Sequence, residues 1–374
     1  MESTSQQMGL LGGMHMDAQF SHVSPKDFFF KVLNGTALGI IIGLIPNAIL
    51  ATILQYFPGF TLGVSLVTVV KIFQLATPLI IGAIISYQFH LDSLRSMTVA
   101  GAAFVGSGVI TQDSQTYFDK AGEAATLLIG NGQGNITNTM LTAALAILMV
   151  KVIKKRFGSA ELVLTPLVIG SLAGLVGLYT LPTVSSATLA IGTMINYFTT
   201  LQPYAMSMLI AVTFAILIIS PVSTVSIGIA VGLFGLSAGA SAMGVASTTL
   251  VLIVHSWKTN NSGVTLGIAM GSMKMMMPNL FKYPIILFPV VTTAIVSSLS
   301  VPIFNITGTP ASAGFGLVGL VGPLAGLKAG NTLAVTVLAW LVIPAVAALA
   351  SYFVFDKLTK LYQTNVVFKY QEAE

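Results

Sequence analysis

The chain has 374 residues, of which 55% are hydrophobic and 7% charged; it carries a formal net charge of +5, no cysteine and a mean hydropathy of +0.91. Soluble domains carry roughly a quarter charged residues, so a sizeable water-soluble domain is excluded. The absence of cysteine excludes disulfides, thiolate metal sites and a cysteine phosphoacceptor. In a bilayer every backbone N–H and C=O must be paired within the protein, and runs of about 20 apolar residues cross the hydrocarbon core as helices. The alternation of a β-barrel does not occur. The expected fold is an all-α, polytopic membrane protein.

Residues 1–27 hold Glu2, Asp17, Lys26 and Asp27 among Ser, Gln, Met and His, with no basic run leading into an early apolar stretch. They read as a flexible cytoplasmic segment without a cleaved signal peptide, followed by a transmembrane domain over 28–355 and a cytoplasmic tail over 356–374. Spans are expected near 28–50, 60–88, 95–112, 136–152, 161–181, 186–220 (two segments broken at Pro203), 222–256, 263–277, 284–301 and 331–355, which makes about ten. Lys151, Lys154, Lys155 and Arg156 form the strongest basic cluster, so the loop after the fourth span is placed in the cytoplasm. Parity then puts both termini inside. Lys26, Lys31 and Arg95 agree, as do Lys357, Lys360 and Lys369 in the tail, while the 113–123 loop sets Asp113, Asp119 and Glu123 against Lys120. Basic residues at loops speak for topology and a plasma-membrane location, not for nucleic-acid binding.

Two stretches are too short and polar to cross. The first runs from Ala121 to Gly130, continues through Asn131-Gly132-Gln133-Gly134-Asn135, and resumes as an apolar run from Ile136; it reads as a half-helix with a polar tip. The second is Asn305 to Gly316, where Pro310 suits the first turn of a helix. Such re-entrant breaks line cavities in secondary transporters, although each also reads as a plain loop. Asn135-Ile136-Thr137-Asn138-Thr139 and Asn305-Ile306-Thr307-Gly308-Thr309 are alike, as corresponding broken helices of two repeats would be, yet Thr77-Pro78-Leu79 and Thr165-Pro166-Leu167 imply a different offset. The candidate substrate-binding residues are Asn131, Gln133, Asn135, Asn138, Thr307, Thr309 and Ser312, with the two tips meeting near the bilayer midplane. Neutral amides and hydroxyls exchange hydrogen bonds with a polyol's water shell without burying a charge.

Among ionisable residues within spans, Lys71 is the clearest candidate, either as an anion partner or as a snorkelling lysine, with Gln74 and Pro78 on the same face. His255 reads as structural and Trp257 as an interfacial anchor. Lys274, next to Pro278, reads as a surface anchor. No nucleotide loop, metal motif or nucleophile constellation occurs, so neither catalytic residues, nor a metal, nor a cofactor is expected.

The string from Thr309-Pro310-Ala311-Ser312-Ala313-Gly314-Phe315-Gly316 to Gly322-Pro323, with Leu201-Gln202-Pro203-Tyr204, Ser220-Pro221-Val222-Ser223 and Gly271-Ser272-Met273 to Leu280, resembles the EIIC-like membrane proteins of the phosphotransferase system over about residues 28–355. Within that group it is most similar to the branch containing the toxin regulator PfoR. The resemblance implies a homodimer of about ten transmembrane helices plus re-entrant half-helix hairpins, with solute phosphorylation left to separate EIIA and EIIB proteins. Where members of that branch often carry Gly-Asp-Pro, this chain has Gly134-Asn135-Ile136, and the Glu and His that bind sugar in better-known EIICs have no counterpart. Two functions follow as expectations: a permease for a sugar or related hydroxylated metabolite, or a membrane sensor signalling through a separate regulatory partner. Small residues between Gly228 and Gly244 offer a surface for the homodimer.

Overall fold

A computed structural model describes residues 23–54, 57, 61–113, 117–118, 124–130, 132–154, 156–310 and 312–371. The segment 1–22, Asn131, Lys155 and the loop charges Asp119, Lys120 and Glu123 lie outside the described residues. The chain divides into two compact units, Met1–Gly43 with Lys71–Pro182 and Ala373–Glu374, and Leu44–Val70 with Thr183–Glu372.

The first unit opens with residues 25–43 of α1 (Pro25–Leu54), whose start is capped by Ser24 Oγ accepting from Asp27 N at 3.1 Å. Gly35, Gly39 and Gly43 recur every four residues and form one bare stripe along it. Against that stripe lies α3 (Thr77–Gln88): a Cβ on Gly35 or Gly39 would stand 2.6 Å from the Cα of Ile85 or Ile81. The small residues thus let two apolar helices meet backbone to backbone. Lys31 closes the far end, its Nζ donating to the Gln88 carbonyl at 2.8 Å. Ahead of α3, α2 (Thr61–Leu75) meets it at a 51° bend around Ala76, so the span expected at 60–88 is broken just before Pro78.

Asp92 caps α4 (Ser93–Gly106), which stops six residues short of expectation at 112 because Ser107 and Gly108 (φ +65°) turn the chain. The next residues are strand. β1 (Ile110–Gln112) pairs antiparallel with β4 (Leu128–Gly130), and between them β2 (Tyr117–Phe118) pairs with β3 (Ala124–Ala125). This corrects the half-helix expected over 121–130 for residues 124–130, residues 121–123 lying outside the described ones: the β-branched Val109-Ile110-Thr111 and Ile129 favour pairing over a short helix. α5 (Ile136–Ile153) follows, and then α6 (Gly158–Phe198), one run of 41 residues that merges the expected 161–181 span with the start of 186–220. A π-helical stretch at Thr165–Gly170 precedes Pro182 within it. Arg95, counted above as a loop charge, is buried and paired with Asp92 at 2.9 Å and Glu161 at 2.5 Å.

In the second unit α7 (Pro203–Ile218) starts where the break at Pro203 is expected, with Gln202 capping it. The 222–256 span is divided into α8 (Thr224–Val231) and α9 (Leu236–Ser256) by Gly232 (φ +69°) and Gly235 (φ +60°). α9 is the axis of this unit and is almost wholly buried. Its small residues admit neighbours' backbone, Gly244 taking Ala211 and Gly239 taking Ile306. Of the Gly228–Gly244 run, read above as a surface for a second copy, residues 237–244 are buried inside this unit, while Ile229, Ala230, Gly232 and Phe234 are exposed. The span expected at 263–277 is likewise replaced by α10 (Ser262–Ala269), a 3-10 turn at Met273–Met276 and α11 (Met277–Lys282), since Gly271 (φ +118°) ends the first helix.

α12 (Pro284–Ile303), α13 (Val321–Lys328), α14 (Leu333–Leu358) and α15 (Thr364–Val367) complete the order. After α14 the chain folds back as a strap. Asn279 Nδ2 donates to the carbonyls of Val367 and Lys369, both at 2.8 Å, while Asn260 donates to Phe368 O at 2.8 Å and accepts from Tyr370 N at 2.7 Å. Phe368 is fully buried beneath it. Among the described residues six helices are long and apolar enough to cross a membrane, or seven if the bent α2–α3 pair is one span. This is a multi-pass, all-α membrane protein whose few strands form one small excursion.

Candidate functional site

Polar groups concentrate at one place in each unit. In the first, the bend between α2 and α3 faces the turn that leads into α5. Gln133 is buried and accepts from Gln74 Nε2 at 3.2 Å, and Thr77 Oγ1 donates to Gln74 O at 2.6 Å. Gly132 (φ +58°) and Gly134 (φ +66°) shape the turn, and at Gly134 only a hydrogen fits because Ser107 lies against it. Asn135 caps α5, its Oδ1 accepting from Asn138 N at 3.0 Å.

Asn138 has a different office. It is fully buried, its Nδ2 donating to Gly106 O at 2.5 Å and Gly177 O at 2.8 Å while Oδ1 accepts from Thr180 Oγ1 at 2.9 Å. It ties α4, α5 and α6 together, and its amide has no hydrogen left for a solute in this conformation. Of the four amide residues singled out by sequence, then, Gln133 and Asn135 belong to the tip, Asn138 to a helix junction, and Asn131 lies outside the described residues.

In the second unit the described residues of 305–316, all but Ala311, form neither helix nor strand. Gly235 and Gly308 exchange both backbone hydrogen bonds, at 3.1 and 3.0 Å, an isolated bridge that pins the break to the start of α9. The helix expected to open at Pro310 begins instead at Val321, because positive φ at Gly316, Gly319 and Leu320 keeps the intervening backbone in turns. Thr309 and Ser312 satisfy each other: Ser312 Oγ accepts from Thr309 N at 2.8 Å and donates to Thr309 O at 3.0 Å. Thr307, Thr309 and Ser312 line a recess of about 430 Å³ closed by Phe234 and by Lys328 at the end of α13. Small-molecule sites typically enclose about 300–1,000 Å³. Thr307 makes no side-chain hydrogen bond with the described residues, so its hydroxyl is available within the recess. Lys328 is absent from the residues selected by sequence; its only signal is a cation in the last turn of a short Gly-Pro helix.

The remaining ionisable candidates separate clearly. Lys71 is exposed on α2. Lys274, expected at the surface, is buried: its Nζ donates to the carbonyls of Ser220 and of Val222, the latter at 2.9 Å, and no carboxylate pairs with it among the described residues. It staples the turn after α7 to the Met-rich turn before α11. Lys274→Ala is expected to cost about 2–4 kcal/mol, from the vacated volume and two orphaned carbonyls, read as a lowered thermal midpoint in detergent. His255 is buried and structural, Nδ1 donating to Val251 O at 2.8 Å and Nε2 accepting from Tyr362 Oη at 2.9 Å, with Phe368 stacked on the ring at 4.3 Å. Burial pushes the Tyr362 phenol above its usual range, which keeps its proton in place for that bond.

The family description "Phosphotransferase system, EIIC" matches residues 30–368, nearly the whole chain and both units. The chain belongs to the phosphotransferase-system EIIC family. No curated protein and no solved structure matches it. This EIIC protein is therefore a membrane transporter component of a phosphotransferase system, multi-pass in the plasma membrane, and its partners are separate EIIA and EIIB proteins.

Proposed function

We propose that this EIIC protein is a permease for a sugar or a related hydroxylated metabolite, which it passes to the cytoplasmic side for phosphorylation by its separate partners. The observation that carries the reading is the recess at the second break, where the hydroxyls of Thr307, Thr309 and Ser312 line a volume suited to a small solute and the Thr307 hydroxyl has no hydrogen-bond partner among the described residues. Gln133 and Asn135 at the first break supply amides of the same neutral chemistry. Lys71 is kept as a cation for an anionic group on the solute, and Lys328 lines the recess. Neutral donors and acceptors favour a polyol over an ion, since they ask the solute to exchange water hydrogen bonds without losing charge solvation. A count of about ten spans, cytoplasmic termini, a homodimer and membership of the PfoR-like branch belong to the same proposal and derive from loop charge and family resemblance.

The test is a thermal-shift screen of purified protein over sugars, polyols and organic anions, followed by titration of the best ligand. Thr307→Val together with Thr309→Val keeps the side-chain shape and removes two hydroxyls, and is expected to weaken binding by about tenfold or more. A solute bound with unchanged affinity by that variant would show that the recess is not its site.

A further inference from the structure

A second and larger cavity, of about 870 Å³, lies within the second unit between the last turn of α9, the end of α14 and the strap. Its lining combines the apolar Ile253, Val254 and Leu349 with the charged Lys258, Lys357, Lys360 and Asp356. The charges do not cancel. Asp356 Oδ1 accepts from Thr364 N at 2.8 Å and Oδ2 pairs with Lys357 at 2.9 Å, so both oxygens are engaged. Lys258 and Lys360 have no ion-pair partner among the described residues, and both line the same cavity. Lys360 is held there at φ +49°, a backbone conformation that side-chain-bearing residues seldom adopt, by the bonds from Thr359 N to Val354 O and from Leu361 N to Phe355 O, both at 2.8 Å. Trp257 is exposed at the end of α9, and tryptophan is enriched at membrane–water interfaces.

We propose that this cavity binds a phosphate ester, with Lys258 and Lys360 as its cations, and that the apolar lining selects the lipid-borne form, the headgroup of an anionic phospholipid. An acyl chain lies against Ile253, Val254 and Leu349 while the phosphate meets two ammonium groups at the interface. The neutral Gln363 and Asn365 on the strap, which also line the cavity, serve the glycerol hydroxyls. The site is separate from the Thr307 recess, so its occupancy bears on how the protein sits in its membrane and not on solute recognition.

The experiment is native mass spectrometry on the full chain released from a neutral detergent, titrated with phosphatidylglycerol, phosphatidylcholine or glycerol 1-phosphate. Phosphatidylglycerol is expected to bind at least about tenfold tighter than phosphatidylcholine, and Lys258→Ala with Lys360→Ala to weaken it about 30-fold, since each lysine beside an anionic headgroup contributes about fivefold. Both lysines are exposed, so the double variant keeps the parent's thermal midpoint. Lys360→Gly separates charge from fold: it removes one cation yet relaxes the positive φ, so it weakens phosphatidylglycerol about fivefold while the midpoint holds or rises. Glycerol 1-phosphate competing at similar concentration would support the phosphate site and assign it to a soluble ester. Equal binding of the two lipids, or undiminished phosphatidylglycerol binding by the double variant, overturns the proposal.

Discussion

Gly316→Ala is expected to lower the yield of folded, monodisperse protein severely, with a loss of about 2–5 kcal/mol from two costs that add. The residue sits at φ +57°, where a Cβ costs about 1–2 kcal/mol. That Cβ would also stand 2.6 Å from Ala246 N and 2.8 Å from Ala242 O, both backbone atoms of the buried axis α9, and overpacking of this kind costs about 1–3 kcal/mol. Gly232→Ala isolates the first cost, since Gly232 has φ +69° and nothing within 4 Å of its would-be Cβ. Fluorescence-detected gel filtration after a temperature series should place the Gly316 variant well below the Gly232 variant. Equal midpoints would mean that the break at 305–316 is not pressed against α9. The consequence reaches the recess, because the same irregular segment positions Thr307, Thr309 and Ser312.

That dependence explains what the sequence could and could not disclose. The membrane class was legible in composition, and the break at Pro203 because proline acts locally, removing an N–H wherever it stands; the bend ahead of Pro78 fell inside a span read as continuous. The stripe of Gly35, Gly39 and Gly43 was legible in principle, its period of four being the sequence trace of a close helix contact. The strands around 110–130 were not. Leu127, Leu128 and Ile129 are apolar and flanked by small residues, and over so short a run neither period can be distinguished. Lys274 escaped for another reason: its partners are carbonyls 54 and 52 positions earlier, and backbone acceptors leave no mark in composition. Thr307, Thr309 and Ser312 were found as a set because they are neighbours in sequence. Lys328 joins them only through the fold. The failed Pro310 helix shows the limit of local rules, since a good helix-opening residue is overridden where Gly314 and Gly316 must admit the backbone of α8 and α9.

Asn138 supplies the largest polar effect expected in the first unit. Asn138→Ala deletes two donors and one acceptor at once at the junction of α4, α5 and α6, taking the amide from Gly106 O and from Gly177 O, of which the second keeps the Thr180 hydroxyl at 3.0 Å. Those carbonyls are exposed to each other because the helices approach over glycine: a Cβ at Gly177 would stand 2.7 Å from the Gly106 Cα, so no side chain there could shield them. In water such a loss is softened by solvent; at a fully buried site the carbonyl left without a donor costs about 1–3 kcal/mol and the vacated amide volume adds to it, giving about 2–5 kcal/mol for the variant. Asn138→Asp is the sharper probe. It preserves the shape of the side chain and the bond from Thr180, but sets a carboxyl oxygen against two carbonyl oxygens where the amide placed its hydrogens. The expected order of thermal midpoints is therefore parent, then Asn138→Ala, then Asn138→Asp, measured in the same detergent. A purely steric junction predicts the reverse for the two variants, because the isosteric carboxyl would fill the space that alanine leaves empty, and that result would remove Asn138 from the polar clamp.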